Sequence, residues 1–134
     1  QLAVVAAVVA AVSIPVAVKL TPFYASLPAF VQRLEQVGAR GVTLFNRFYE
    51  PSIDLDDLSV YRSLSSSTSS ELPLRLRALV VLSGSSRLDM ACSGGVHTGE
   101  DMARAVLCGG RLRKRKIKHV KLQFRAGTGT TFRG

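Results

Sequence analysis

The sequence predicts an α/β fold with parallel strands, and three observations carry that prediction. Short apolar, β-branched runs alternate three times with segments whose apolar residues recur at helical spacing, the order of parallel βα units. The strand candidates read as buried strands, which parallel sheets covered on both faces require. Hydrophobic residues make up 47% and charged residues 20% of the 134 positions, the composition of a globular chain.

The elements come in order along the chain. Residues 1–18 (QLAVVAAVVAAVSIPVAV) carry no charge and raise the question of a membrane span. Ala and Val give the stretch little apolar bulk, Ser13 and Pro15 divide it, and Lys19 follows at once. No basic segment precedes it and no initiator Met is present, so a signal peptide fits poorly. The better reading is the end of a helix up to Val12, then a buried strand over residues 14–20. Pro15 falls among that strand's first residues, where its missing N–H harms no ladder. A chain that opens in mid-helix reads as a fragment.

Residues 21–26 form a loop. A helix over 25–38 comes next, with Leu27, Phe30, Val31, Leu34 and Val37 at helical spacing. Ser26 caps its start, Pro28 sits in its first turn and Gly38 ends it. Residues 41–46 (GVTLFN) form a second buried strand. A long loop over 50–70 is acidic first (Glu50, Asp54, Asp56, Asp57) and then serine-rich. Residues 71–82 are apolar at helical spacing, with Pro73 confining the helix to the residues after it. The chain breaks at 83–86, and residues 87–92 (RLDMAC) are the third strand candidate. Gly94 and Gly95 come just after it. Thr98 to Asp101 has capping-box spacing and opens a helix to about Leu107, which Gly109 and Gly110 end.

Three βα units leave a parallel sheet with open edges. A (β/α)8 TIM barrel of typically about 250 residues is roughly twice this length. The structural expectation is therefore about half a barrel over residues 1–109. Residues 110–134 form a second region, because the net charge of +9 lies entirely there. Nine Lys/Arg and nine Asp/Glu cancel in residues 1–109, whereas 110–134 carry nine Lys/Arg and no acid. This basic tail reads as disordered or, through alternating Val120, Leu122 and Phe124, as an edge strand. Its cations could bind phosphate backbones, with Phe124 available for stacking. A solvated tail, a change of coding frame and a misjoined gene end are the plainer alternatives.

Chemistry is expected where a barrel puts it, at the C-terminal ends of strands. Lys19 ends the first strand; its ammonium either supports negative charge on a ligand or escapes to solvent. Asn46 ends the second; its amide either recognises a planar polar ligand or starts the following turn. Gly94 and Gly95 link the third strand to a capped helix. Their N–H groups, aided by the helix N-terminus, suit an anion, although tight turns need glycine anyway. Cys92 and Cys108 read as reduced packing residues. His97 and His119 stand apart from any ligand cluster, so no metal site is expected. No catalytic residue is assigned.

The segments IPVAVKLTPF, GVTLFNRFYEPSIDL and SGGVHTGEDMARAVLCGG, in this order and spacing, resemble the dihydroorotate dehydrogenase family. NRFYEPSIDL resembles, more narrowly, its dihydroorotate dehydrogenase-like branch. The resemblance covers residues from about 10 to 109 and corresponds to barrel strands five to seven. It implies an FMN-binding (β/α)8 barrel that oxidises dihydroorotate in pyrimidine synthesis. By resemblance Lys19 contacts the flavin ring, Asn46 contacts a small-molecule substrate, and Gly94 and Gly95 hold the FMN phosphate. Arg47 departs from the small Ser or Thr that comes after the family's asparagine. The glycine-rich segment after strand six has no match among SLSSSTSSELPL, and the half that carries the family's catalytic base is absent. The chain alone is therefore expected to be inactive. The missing targeting signals point to the cytoplasm.

Overall fold

The computed structural model describes residues 1–47, 50–63 and 66–109. The basic tail, with His119 and Phe124, lies outside the described residues. In chain order the elements are α1 (Leu2–Ala11), β1 (Ala17–Leu20), α2 (Leu27–Gln36), β2 (Gly41–Leu44), β3 (Glu50–Ile53), β4 (Val60–Ser63), a 3-10 turn (Ser69–Glu71), α3 (Leu72–Ser83), β5 (Asp89–Cys92) and α4 (Gly99–Gly109).

Strands β1, β2 and β5 form one parallel sheet in that order. Their register sets Leu20, Leu44 and Cys92 level across the sheet, and Lys19, Thr43 and Ala91 level one residue earlier. Successive side chains point to opposite faces of a strand. Val42, Leu44, Met90, Cys92 and Leu20 therefore meet Val31 and Leu34 of α2, Leu79 and Leu82 of α3, and Ala105 of α4 in one core. The other face of the sheet leaves Ala17, Lys19 and Asp89 exposed. The result is an α/β arrangement of a small parallel sheet with helices packed on one face.

Local chemistry explains the helix ends. The Ser26 hydroxyl accepts from the Ala29 N–H at 3.4 Å, and Pro28 occupies the first turn, where its missing donor is not needed. At the other end Gly38, with φ of 94°, reverses the chain. Its N–H donates to Glu35 O and the next N–H, of Ala39, donates to Leu34 O, the two bonds of a Schellman ending. The Glu35 carboxylate then accepts from Ser86 Oγ and the Arg87 N–H, which ties the turn before β5 to α2.

Several boundaries differ from the sequence expectation. The first strand spans Ala17–Leu20 and not residues 14–20, since Ile14 is 72% exposed and has no apolar layer to enter. The strand at 41–46 stops at Leu44; Phe45 is still buried, joined through a cis Leu44–Phe45 peptide. Helix α3 starts at Leu72 rather than after Pro73, because a proline is tolerated in a first turn. The long loop at 50–70 is replaced by an antiparallel β3–β4 hairpin and a 3-10 turn. The acids that read as loop are the hairpin's turn chemistry. Asp54 Oδ1 accepts from the Asp56 N–H and Asp57 Oδ1 from the Ser59 N–H, while the Asp54 N–H donates to Ser59 O across the tip. Among the described residues no helix is long and apolar enough to cross a membrane.

Candidate functional site

The C-terminal edge of the sheet gathers the three sequence-predicted segments. Beyond β2 the Asn46 N–H donates to Leu20 O at 2.7 Å, and beyond β5 the Ser93 N–H donates to Leu44 O at 2.6 Å. These bonds extend the ladder one step past the strands, so the chain leaves all three strand ends at one level. Lys19 lies one residue inside that edge, exposed on the face away from the helices. Asn46 is exposed at the edge, and Gly94 and Gly95 begin the loop into α4. Lys19 and Asn46 have no described side-chain partner.

The glycine loop is shaped by its packing partner. Gly94 and Gly95 have φ of 81° and 78°, the left-handed region that L side chains avoid. A Cβ on Gly95 would fall 2.7 Å from Leu72 N and 2.9 Å from Leu72 Cα, so the loop rests directly on the first turn of α3. A Cβ on Gly94 would stand 3.0 Å from Arg75 Nη2 and 3.5 Å from Ser67 Cβ.

Arg75 is the charged residue beneath this loop and is only 4% exposed. Its Nε donates to Ser93 O at 2.8 Å, Nη1 to Glu71 O at 2.8 Å and Nη2 to Glu71 Oε2 at 3.0 Å. Glu71 also lies 3.3 Å from Arg47 Nη1 through its other oxygen. That nitrogen is buried and makes no hydrogen bond, so the contact is an ion pair without hydrogen-bond alignment. One carboxylate thus sits between two guanidinium groups at the sheet's C-terminal edge, which leaves the cluster net positive.

The α4 N-terminus departs from the expectation. Asp101 Oδ2 accepts from the His97 N–H at 3.1 Å, the Thr98 N–H at 3.2 Å and Ser69 Oγ at 3.0 Å. The Asp101 N–H donates in return to Thr98 Oγ1, which completes the capping box. The His97 and Thr98 N–H groups just before the helix are thus taken by the protein's own carboxylate. The His97 N–H first, with Ser69 and Thr98 after it, holds that carboxyl below the ordinary carboxylate range.

Sequence reasoning missed the segment before α3. Ser67 Oγ and His97 Nε2 share a hydrogen bond of 3.2 Å, Ser69 reaches Asp101, and Glu71 and Arg75 hold the glycine loop. The legible signal was the Thr68-Ser-Ser-Glu71 spacing of a second capping box, whose reciprocal bonds are both formed. Cys92 and Cys108 are free thiols. Burial pushes the Cys92 thiol up, against the opposing charge of Arg75. Among the described residues no group of His, Cys, Asp and Glu is arranged to hold a metal ion.

No protein-family model matches the chain. Individual relatives do. It is 31% identical over 110 residues to the dihydroorotate dehydrogenase A (fumarate) of Lacticaseibacillus paracasei, an alignment covering 80% of this chain and 38% of that protein. It is 33% identical over 105 residues to the protein of the same name from Limosilactobacillus reuteri, covering 75% of this chain and 33% of the relative. The resemblance to dihydroorotate dehydrogenase is borne out. The chain spans about a third of the length of these dihydroorotate dehydrogenases. The similarity reaches most of the chain, so it is not confined to one common loop motif.

Proposed function

We propose that this chain carries consecutive strands five to seven of a (β/α)8 barrel in a flavin oxidoreductase of the dihydroorotate dehydrogenase type. The observation that supports this reading best is the convergence of Lys19, Asn46 and Gly94–Gly95 at one end of one parallel sheet whose strands lie in chain order. That is the end at which barrel enzymes do their chemistry. The exposed face with Lys19 is then the barrel interior, and β1 and β5 are the edges to which further strands pair.

The donor set is chemically suited to FMN. A phosphate dianion calls for N–H groups and positive potential, which the glycine loop and the Arg75–Glu71–Arg47 cluster supply. When bound, FMN would supply hydride acceptance. Lys19, an exposed ammonium on the interior face, would stabilise negative charge on the reduced ring. Asn46, with a donor and an acceptor in one plane, would orient a small dihydropyrimidine-like substrate. Arg47 stands beside it but is turned to Glu71, which leaves Asn46 as the recognition group at that strand end.

By the resemblance the base that removes a substrate proton belongs to another part of the barrel, and we assign none among these residues. The purified chain is expected to bind FMN without oxidising dihydroorotate. The test is a flavin titration of the 134-residue chain, read by fluorescence quenching, beside a dihydroorotate oxidation assay. Saturable FMN binding with no turnover supports the reading. Failure to bind FMN refutes the flavin assignment, and binding of phosphorylated compounds without regard to a flavin ring would indicate a barrel of non-redox chemistry.

A further inference from the structure

We propose that Arg75 is the positioning residue of the β5–α4 loop, the group that turns the Gly94 N–H, beside that of Gly95, toward the ligand side of the sheet edge. In a trans peptide the C=O of one residue and the N–H of the next point in opposite directions. The Ser93 carbonyl is drawn toward α3 by Arg75 Nε at 2.8 Å, so the Gly94 N–H is aimed away from α3. The Gly94 carbonyl faces the buried Cys92 Sγ at 3.9 Å, so the Gly95 N–H is aimed away from the core in the same manner. Two successive amide N–H groups thereby face outward together, the arrangement that makes an anion-binding concavity of plain backbone. Neither donates to a described residue.

Arg75 itself is poorly explained as a stabilising residue. A guanidinium 4% exposed pays heavily in lost hydration, and an apolar side chain of similar volume commonly serves stability as well or better. What an apolar side chain cannot do is hold the Ser93 carbonyl. Arg75 is in turn held by Glu71, through both the backbone carbonyl and Oε2, so its direction is set by the first turn of α3. With Asp101 already occupying the His97 and Thr98 N–H groups, the glycine N–H groups are anion donors the loop keeps available, and Arg75 sets the direction of the first of them.

This inference rests on the flavin reading for the identity of the anion, and the test separates the two. FMN and riboflavin, which lacks the phosphate, are titrated into the full chain and into Arg75→Lys and Arg75→Met, with thermal unfolding followed in parallel. Wild type is expected to prefer FMN. Arg75→Met is expected to lose that preference by about tenfold or more, and Arg75→Lys, which keeps one donor for Ser93 O, to recover part of it. An FMN-to-riboflavin ratio equal to wild type in both variants overturns the inference and leaves the flavin reading standing. If wild type binds neither flavin, the flavin reading fails and inorganic phosphate decides the inference by 15N NMR. Shifts of the Gly94 and Gly95 amides in wild type and Arg75→Lys, lost in Arg75→Met, uphold it. Absence of shifts in wild type overturns it. Should Arg75→Met not fold, the Arg75→Lys comparison carries the same decision.

Discussion

Replacing Gly95 by alanine tests whether packing on α3, and not only a ligand, demands glycine in this loop. The added Cβ would adopt φ near 78°, at a cost of roughly 1–2 kcal/mol for an L residue. It would also meet Leu72 N at 2.7 Å and Leu72 Cα at 2.9 Å. These are backbone atoms of a helix, so relief requires moving α3 or the loop, an overpacking cost of about 1–3 kcal/mol. Together the effects come to about 2–5 kcal/mol, a fall in Tm of roughly 7–18 °C in a domain of this size. Gly94→Ala should cost less, since its Cβ meets the Arg75 Nη2 side-chain atom at 3.0 Å. Gly84→Ala is the control, with nothing within 4 Å and an ordinary φ of −80°. It should leave stability unchanged or raise it by about 0.4–1 kcal/mol. Far-UV circular dichroism through thermal and urea unfolding reads all three. If Gly95→Ala melts with Gly84→Ala, the claim that α3 dictates the glycine is wrong.

Other parts of the structure make further outcomes testable. Leu82→Ala, at a side chain with no exposure between α3 and the sheet, should cost about 2–5 kcal/mol in urea unfolding, whereas Leu74→Ala at a half-exposed position should cost under about 1 kcal/mol. The Asp101 carboxyl titrates below its ordinary 3.8 in the folded state, so its contribution to stability is present above that pH and lost as pH falls through the folded value. A pH series of melting temperatures should show this acid limb in wild type and a shallower one in Asp101→Asn. With Cys92 buried and its thiol pushed up, a thiol reagent at neutral pH should modify Cys108 first and Cys92 only on unfolding, as peptide mapping would reveal. If the basic tail binds nucleic acid, binding should weaken steeply with salt and vanish when residues 111–134 are removed; salt-insensitive binding that survives the deletion would sink that idea.

Local signals in the sequence were sound guides wherever neighbouring residues decide the outcome. Helical spacing located α2 and α3, Ser26 and Gly38 marked the ends of α2, and Thr98 with Asp101 opened α4. Parallel strands formed within the predicted runs at 41–46 and 87–92, as β2 (Gly41–Leu44) and β5 (Asp89–Cys92). The hairpin at β3–β4 was obscured because its acids form the turn and its short strands expose side chains on both faces. With no buried face there is no apolar alternation to read.

What the sequence by itself determined is the succession of the three parallel strands and the helices between them, and the three segments that end at the sheet's C-terminal edge. Those are set by spacing, caps and glycine positions, all of which act over a few residues. Only the tertiary structure decided what the segments do to one another. Asp101 takes the His97 and Thr98 N–H groups before α4, and Ser69 from a different element completes its hydrogen bonds. Arg75 reaches Ser93 across 18 positions of chain, and Glu71 is shared between Arg75 and Arg47. Such contacts depend on how α3 lies against the β5–α4 loop, a relation between distant residues set by the packing of the whole core.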